Sequence, residues 1–328
     1  MKRFLAVLVV AGLVASACGT IPGLGGAKVG MVTDIGQLED KSFNEFSWEG
    51  VQEGARRIGG SAQVIVTRDT ADYAQNIQTF VDQDYDVIVT VGFLIGSDTM
   101  TAAQANPDVQ FFGVDQFVDP ATAPPNYQGL LFNEAQAGYL AGLVAATISE
   151  SGMIGAVGGR SDVPPVVAYI EGYEKAAKSV NPSIEVIVDY TEDFNAPDKG
   201  EASARTMIGQ GVDVIFQVAG LTGAGALRAA CSAGIWGIGV DVDQYESLPD
   251  AQDCIVTSAE KKLLEATASA IVRWREEGPQ TENFINDASN DGIGYSPIRN
   301  LDPIPAGLED MLQKALEDMK SGALDPTN

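Results

Sequence analysis

Three aspartates follow short apolar strands, where a carboxylate could hold a ligand. Asp34 follows "KVGMVT", Asp115 follows "FFGV" and Asp241 follows "GIGV". A carboxylate accepts hydrogen bonds from hydroxyl or N–H groups, and its charge strengthens those bonds. An aspartate after a strand is also a common turn former or helix cap. One such residue alone therefore does not indicate a binding site, and the pattern around it has to decide.

The strands that carry Asp115 and Asp241 belong to an internal repeat. In both halves a "DVI" strand, beginning at Asp86 and at Asp213, precedes a helical stretch and then the strand that ends on the aspartate. The two spacings are 29 and 28 residues. Continuous apolar runs of this kind are typical of strands buried on both faces of a parallel sheet. The sequence predicts two doubly wound, Rossmann-like α/β lobes, with a ligand at the carboxyl ends of the strands.

The composition excludes several classes of function. The chain has 328 residues, 45 acidic and 20 basic, so its formal charge of -25 disfavours nucleic acid as a partner. It contains no histidine, which excludes Ser-His-Asp, Cys-His and histidine–zinc chemistry. It has no P-loop, its "DVDQY" lacks the pattern of a calcium loop, and "GLTGAG" fails the dinucleotide fingerprint. We predict a protein without catalytic residues, cofactor or metal.

The first residues predict export and lipidation. Lys2 and Arg3 precede an apolar run too short to span a bilayer, and "ASAC" places small residues before Cys18. This is typical of a bacterial lipoprotein signal peptide at 1–17, with Cys18 lipidated and 18–26 as a tether. An ordinary secretory signal is the alternative and leads to the same compartment. We expect an extracytoplasmic protein, lipid-anchored on the periplasmic side or outer face of the cell membrane.

Two further cysteines and one aromatic leave structural alternatives open. Cys231 and Cys254 could form a disulfide in an oxidising compartment, or remain two buried thiols. The second half of the repeat carries about five additional residues in "YTEDFNAPDKG", with Phe194 at the centre. Loops at strand ends build specificity, so Phe194 could stack on a flat ligand. It could equally pin the loop to its own lobe.

Several motifs together resemble one family. They are "KVGMVTDIGQLEDKSFNEFSWEG" at 28–50, "DVIVTVGFLIG" at 86–96, "AGYLAG" at 137–142, "DVIFQVAGLTGAG" at 213–225, "GIGVDVDQ" at 237–244 and "TSAEKK" at 257–262. They are similar to the basic membrane protein family of substrate-binding lipoproteins of ABC importers, over about residues 27 to 277. The resemblance implies a type I periplasmic binding protein fold, in which two lobes joined by crossover strands close on a purine nucleoside.

The resemblance also implies lobe boundaries. Residues 27–135 plus about 255–285 are expected to form the N-terminal lobe, and residues 136–254 plus about 286–328 the C-terminal lobe.

Roles for single residues follow from the same resemblance. Phe194 resembles the aromatic that stacks on the base, and Asp115 the carboxylate that binds the base edge. Gly220, Asp241 and Lys261 resemble the groups that hold the ribose. The predicted ligand-binding set is Asp34, Leu38, Asp40, Asn44, Phe93, Asp115, Phe194, Gly220, Asp241 and Lys261.

One position departs from the family pattern. Leu38 stands where a second stacking aromatic is expected, and Phe93 at the next strand end is a candidate replacement. Asp40 and Asn44 belong to the "DxSFN" loop, whose Phe43 is expected to pack inside.

The sequence therefore predicts a monomeric binding protein, not an enzyme, that delivers a purine nucleoside or related ribosylated ligand to the permease subunits of an ABC importer. A binding protein for another neutral polyol or sugar, or a signalling receptor, is the alternative. A nucleoside hydrolase is disfavoured, because the chain lacks histidine and a "DxDxxxDD" calcium cluster.

Overall fold

The structure, a computed structural model, describes residues 26–327. Its strands are β1 (Lys28–Val32), β2 (Ser61–Ile65), β3 (Val87–Val91), β4 (Gln110–Val114), β5 (Tyr127–Phe132), β6 (Met153–Gly158), β7 (Glu185–Tyr190), β8 (Val214–Val218), β9 (Trp236–Asp241), β10 (Ile255–Lys261), β11 (Phe284–Asn286) and β12 (Ile293–Tyr295). Its α-helices are α1 (Phe43–Arg57), α2 (Tyr73–Val81), α3 (Gly96–Ala105), α4 (Glu134–Ile148), α5 (Pro164–Val180), α6 (Pro197–Gln210), α7 (Gly220–Ala233), α8 (Gln244–Ser247), α9 (Leu263–Glu277) and α10 (Leu308–Ser321).

The predicted signal peptide at 1–17, the lipidation site Cys18 and nearly all of the tether lie outside the described residues. Within residues 26–327, none of the helices combines the length and the apolar character needed to cross a membrane.

The strands form two sheets, and each sheet is the centre of one lobe. The order is β11-β5-β4-β3-β1-β2 in the first lobe and β12-β10-β9-β8-β6-β7 in the second. Neighbouring strands pair in parallel, apart from the antiparallel pair of β10 and β12. The order reverses between β1 and β3 and between β6 and β8, so the crevices for a ligand lie outside the carboxyl ends of these strands. The predicted type I fold is confirmed.

The apolar runs found in the sequence occupy the positions that burial requires. All five residues are buried in β3, "VIVTV", and in β8, "VIFQV", because each strand has a neighbour on both sides and helices on both faces. β2 and β7 lie at sheet edges and are only partly buried. Equivalent strands of the two halves thus have equivalent places in the two sheets.

The chain passes between the lobes three times, after β5, after β10 and after β11. The predicted boundary near 255 lies too early, since β10 pairs with β9 and extends the second sheet. The apolar residues of β10 are buried there, and the following helix α9 returns to the first lobe by packing on α1. β10 therefore belongs to the second lobe and α9 to the first.

A disulfide in the second lobe joins α7 to the segment before β10. Cys231 in α7 and Cys254 before β10 are bonded, with their Cα atoms 5.1 Å apart and a sequence separation of 23 residues. The structure thus contains the disulfide that the sequence left open.

We expect loss of this disulfide to destabilise the protein by about 3 kcal/mol, because the bond restricts a loop of this length in the unfolded chain. The check is the free energy of unfolding in urea for the wild type and a Cys231→Ser/Cys254→Ser variant, with and without reductant. Reductant should lower the wild-type value and leave the variant unchanged. Equal values for the oxidised wild type and the variant would contradict the expectation.

Candidate functional site

A cavity lies between the two lobes at the carboxyl ends of their strands. The space between the lining residues is about 720 Å³, with open solvent at the mouth included. Nine of the ten predicted ligand-binding residues line it: Asp34, Asp40, Asn44, Phe93, Asp115, Phe194, Gly220, Asp241 and Lys261.

The tenth residue, Leu38, is not brought into the cavity. Its side chain is half-buried against the apolar core, and Gln37 lines the cavity in this loop. An apolar side chain is stabilised more by contact with the core than by a polar cavity. The expected place of Leu38 in the site is therefore a point where the structure differs from the sequence-based prediction.

A buried lysine at the end of β10 connects the lobes at the base of the cavity. The Nζ of Lys261 lies 2.6 Å from Oδ2 of Asp115 in the first lobe and 2.9 Å from Oε1 of Glu134 at the start of α4. All three side chains are at most 10% exposed. Three aromatic rings lie 5.3 to 5.5 Å from the ammonium, a distance at which a cation and a ring attract; they are Phe43, Phe132 and Tyr169.

These neighbours set the protonation of the buried groups. Burial alone lowers the pKa of Lys261, but the carboxylates of Asp115, Glu134 and Asp241 raise it above its ordinary value, so the lysine stays charged. Burial, reinforced by Asp115, raises the pKa of Glu134 to about 7 although Lys261 opposes the shift. Burial therefore makes Glu134 costly to ionise, while the amine of Lys261 beside it stays protonated.

Asp115 and Asp241 occupy equivalent and unusual backbone positions. Their φ angles are 59° and 64°, in the left-handed region that residues other than glycine rarely adopt. Around Asp241 the chain makes a tight turn in which Val242 N donates to Val240 O at 2.7 Å. Such strain is found at functional sites, where the surrounding structure maintains it. The structure confirms that both aspartates stand at strand ends on opposite sides of the cavity.

Two buried oxygens of cavity-lining residues have no hydrogen-bond partner among residues 26–327. They are Oδ1 of Asp115 and Oδ1 of Asn44, in residues only 7% and 4% exposed. Leaving a buried acceptor unsatisfied costs about 1–3 kcal/mol. A molecule with two suitably placed N–H or O–H donors would remove that cost.

Asp40 has a structural role that limits its chemistry. Its carboxylate accepts the backbone N–H groups of Ser42, Asn44 and Glu45 at 3.0, 2.9 and 3.2 Å. Burial raises its pKa to about 7, although these hydrogen bonds favour the charged form. Asp40 therefore lines the cavity as the cap of α1, and its two oxygens already have partners.

Asp34 is held differently at the end of β1. Its Oδ1 accepts a hydrogen bond from Ile35 N at 2.7 Å and another from the hydroxyl of Tyr73. Burial raises its pKa to about 6. Gly92 lies against this carboxylate with a φ of +102°, and a Cβ atom there would overlap Oδ2 of Asp34. Only glycine permits this approach.

Two aromatic side chains reach the cavity from opposite lobes. The backbone of the loop after β7 is anchored where Thr222 N donates to the carbonyl of Phe194 at 3.3 Å, and the Phe194 ring lies over Gly159, where a Cβ would overlap it. This ring contacts its own lobe and also lines the cavity. Phe93 follows Gly92 at the mouth of the first lobe and is 41% exposed.

Sequence reasoning missed part of the wall. Val163, Val166 and Tyr169 line the cavity from the start of α5. Val163 directly precedes the proline pair that begins α5, and Val166 and Tyr169 follow at intervals of three residues. That spacing is the signal of one helix face and could have identified them. Ser42 and Glu134 were missed as well, because their partners lie far away in the sequence.

The charges around the cavity restrict what it can accept. Several carboxyl groups and one lysine surround it: Asp34, Asp40, Asp115, Glu134, Asp241 and Lys261. An anionic ligand would be repelled, whereas a neutral ligand rich in donors would be matched. No group of three or more Cys, Asp or Glu residues is arranged to hold a metal in the part of the chain that the structure describes.

Comparison with known proteins confirms the family resemblance. The model of the Bmp family, described as ABC transporter substrate-binding protein PnrA-like, matches residues 27–321. The ABC transporter nucleoside-binding protein BmpA of Lactococcus lactis is 29% identical, over 90% of this chain and 88% of the relative. Basic membrane protein A of Borreliella burgdorferi is also 29% identical, over 80% of this chain and 77% of the relative.

A third relative is matched over a shorter stretch. The CD4+ T-cell-stimulating antigen of Listeria monocytogenes is 33% identical over 66% of this chain. The chain spans 63% of that relative's length.

Solved structures share the architecture. An ABC transporter solute-binding protein of Conexibacter woesei is 26% identical with a TM-score of 0.72, covering 91% of this chain and 98% of the other. A solute-binding protein of an ABC transporter system of Aeropyrum pernix has a TM-score of 0.79 at 24% identity, covering 91% and 92%. The second likeness is evidence for the fold.

We expect the pKa of Asp34 to make stability depend on pH. Because the folded value of about 6 exceeds the ordinary 3.8, the contribution of Asp34 is fully present below pH 3.8 and is lost as the pH rises through 6. Relative to an Asp34→Asn variant, which keeps the accepting Oδ1, the wild type should lose about 2 kcal/mol of unfolding free energy over this window. Urea denaturation between pH 4 and 7 checks this, and parallel curves for the two proteins would contradict it.

Proposed function

This chain belongs to the PnrA-like family of ABC transporter substrate-binding proteins, and we propose that it binds a purine nucleoside, or a related ribosylated ligand, between its two lobes. The proposal rests on one observation above all. The cavity contains two buried acceptors, Oδ1 of Asp115 and Oδ1 of Asn44, that have no partner within the described part of the chain and lie next to aromatic surface. A ligand that combines N–H or O–H donors with a flat ring satisfies both features.

The aromatic side chains suit the flat part of such a ligand. Phe194 from the second lobe and Phe93 from the first line the same cavity. Stacking of a base on an aromatic ring stabilises binding by about 1–3 kcal/mol and tolerates different bases. We assign Phe194 to the base, with Phe93 as the candidate for its other face.

The charged side chains suit the polar parts. Asp115 accepts from the base edge, and Asp241, which lines the cavity together with Gly220, accepts from the ribose hydroxyls. Lys261 neutralises part of this buried charge, because an isolated carboxylate in such a place is costly. The Lactococcus lactis relative is named a nucleoside-binding protein, which supports the same ligand class.

Binding would be coupled to closure of the lobes. Asp115 and Asp241 belong to different sheets, so a ligand that contacts both stabilises the closed arrangement by its differential contacts. The closed protein is then recognised by the permease subunits of an importer. The protein acts as a monomer outside the cytoplasm, anchored through lipidated Cys18, and leaves the ligand chemically unchanged.

The first test is the melting temperature of residues 27–328 with adenosine, guanosine, inosine, uridine, ribose and glucose. A ligand at about 100 times its dissociation constant adds roughly 2.7 kcal/mol to stability. We expect the purine nucleosides to raise the melting temperature. A rise with a sugar alone would contradict the proposal, and release of free base from inosine would indicate a hydrolase.

Phe194→Ala should weaken nucleoside binding by about 1–3 kcal/mol, because it removes a stacking surface at a strand-end loop. Calorimetric titration with adenosine measures this. Phe117→Ala is the matched control, since Phe117 is 69% exposed and does not line the cavity. Equal affinities for the Phe194 variant and the control would assign Phe194 to loop anchoring only.

Phosphorylated ligands should be excluded. Adenosine should bind at least 100-fold more tightly than adenosine 5′-monophosphate, because the phosphate would enter a cavity with an excess of carboxylates. Competition titration at pH 7.5 compares the two ligands. Similar affinities would show that the carboxylates do not face the ligand as proposed.

A further inference from the structure

Ser42, which precedes α1 in the first lobe, makes a direct bond to the second lobe inside the candidate site. Its Oγ donates to Oδ2 of Asp241 at 2.6 Å, across a sequence separation of 199 residues. Ser42 is fully buried and Asp241 is 7% exposed. A single hydroxyl from one lobe thus occupies one oxygen of the carboxylate that the other lobe presents to the cavity.

The other oxygen of Asp241 is held less tightly. Its Oδ1 accepts from the hydroxyl of Tyr169 at 3.4 Å, a long hydrogen bond. The tight turn from Val240 to Val242 fixes the backbone on both sides of Asp241. With the backbone fixed and Oδ2 taken by Ser42, Oδ1 remains for an additional donor.

Ser42 is itself fixed by the cap of α1. Its backbone N–H donates to Asp40 at 3.0 Å, and the same carboxylate holds the backbone of Asn44 and Glu45. The preceding residue, Lys41, has a φ of 61° and presents its carbonyl to the second lobe. The whole turn is therefore built to carry one hydroxyl and one carbonyl to the opposite lobe.

The bond from Ser42 exists only while the lobes are together. Beside it, Ser247 Oγ donates to the carbonyl of Lys41 at 2.8 Å, and Gln244 Nε2 approaches the same carbonyl at 3.5 Å. Neither Lys41 nor Ser247 lines the cavity. Opening of the lobes would break the Ser42 bond and the Ser247 bond together, but only the first reaches a cavity carboxylate.

We propose that Ser42 is a positioning residue that couples lobe closure to ligand binding: closure brings its hydroxyl to Oδ2 of Asp241, which orients Oδ1 toward the ligand. The inference rests on the proposed function, since it assigns a ligand contact to Asp241. The proposal adds Ser42, which does not contact the ligand itself and acts on it through Asp241. The Ser247 bond strengthens closure without this orienting effect.

The charged surroundings of Asp241 give the proposal a distinctive pH signature. The titratable groups that face it are Lys261, Asp115, Tyr169 and Asp40. Burial raises the pKa of Asp241, while Lys261 and the hydrogen bond from Ser42 lower it. Loss of the Ser42 hydroxyl therefore raises the pKa of Asp241, and ligand binding that needs the carboxylate should fail at a higher pH than in the wild type.

The test compares Ser42→Ala, Ser42→Thr and Ser247→Ala in residues 27–328. Adenosine affinity is measured by calorimetry from pH 4.5 to 8, and closure by X-ray scattering with and without adenosine. We expect Ser42→Ala to bind adenosine about 10- to 100-fold more weakly, because it loses one hydrogen bond to a charged group. The acidic limb of its pH profile, the fall in affinity as the pH is lowered, should be shifted to higher pH. Ser42→Thr should restore both, and Ser247→Ala should weaken binding without shifting the limb.

Each outcome bears on one statement. Wild-type affinity and an unshifted limb in a folded Ser42→Ala variant would overturn the positioning role, as would equal pH profiles for Ser42→Ala and Ser247→Ala. If the wild type binds no nucleoside, the proposed function fails, and scattering without ligand still tests the lobe contact. Ser42→Ala should then be more open than the wild type, and identical scattering curves would overturn the proposal.

Discussion

The structure around the cavity depends on one buried lysine. Asp115 and Glu134 lie within 2.9 Å of Lys261, and Asp241 also contributes to its charged state. Transferring such carboxylates from water into the protein is costly unless a cation accompanies them. Because Lys261 belongs to the second lobe and Asp115 to the first, this ion pair also holds the two lobes together. The same ion pair thus permits the burial of charge and connects the two halves of the site.

The site is assembled at some cost to the folded protein. Asp115 combines a left-handed backbone with an oxygen that has no hydrogen-bond partner in the described structure, and Asn44 carries a second such oxygen. Buried carboxyl groups whose pKa is raised to about 6 or 7 destabilise the fold at neutral pH. A ligand that supplies donors would offset part of these costs, and this favours binding between the lobes.

Much of the fold could be predicted from the sequence because its signals are local and repeated. The apolar runs of β3 and β8, and the aspartates at nearly the same distance after each, define two parallel sheets without any long-range information. Lobe boundaries were harder, since β10 joins the second sheet while the next helix packs on the first lobe. Nothing in the local pattern distinguishes that strand from a returning one.

In the site, too, residues with a local sequence signal could be predicted, and residues that depend on long-range packing could not. Asp115 and Asp241 could be identified from their spacing, whereas the place of Leu38 depends on how its loop packs against the core. Ser42 and Glu134 have partners more than 100 residues away, so only the folded structure pairs them with Asp241 and Lys261. The family resemblance supplied roles for single residues, but the lobe-bridging hydroxyl lies beyond those roles.

A crystal structure of residues 27–328 with bound guanosine would test the central claim most directly. We expect an N–H of the base within hydrogen-bond distance of Oδ1 of Asp115, its ring on Phe194, and ribose hydroxyls at Asp241, with Lys261 still paired to Asp115. A nucleoside bound outside the cleft, or one that leaves Oδ1 of Asp115 without a donor, would contradict the assignment of the site.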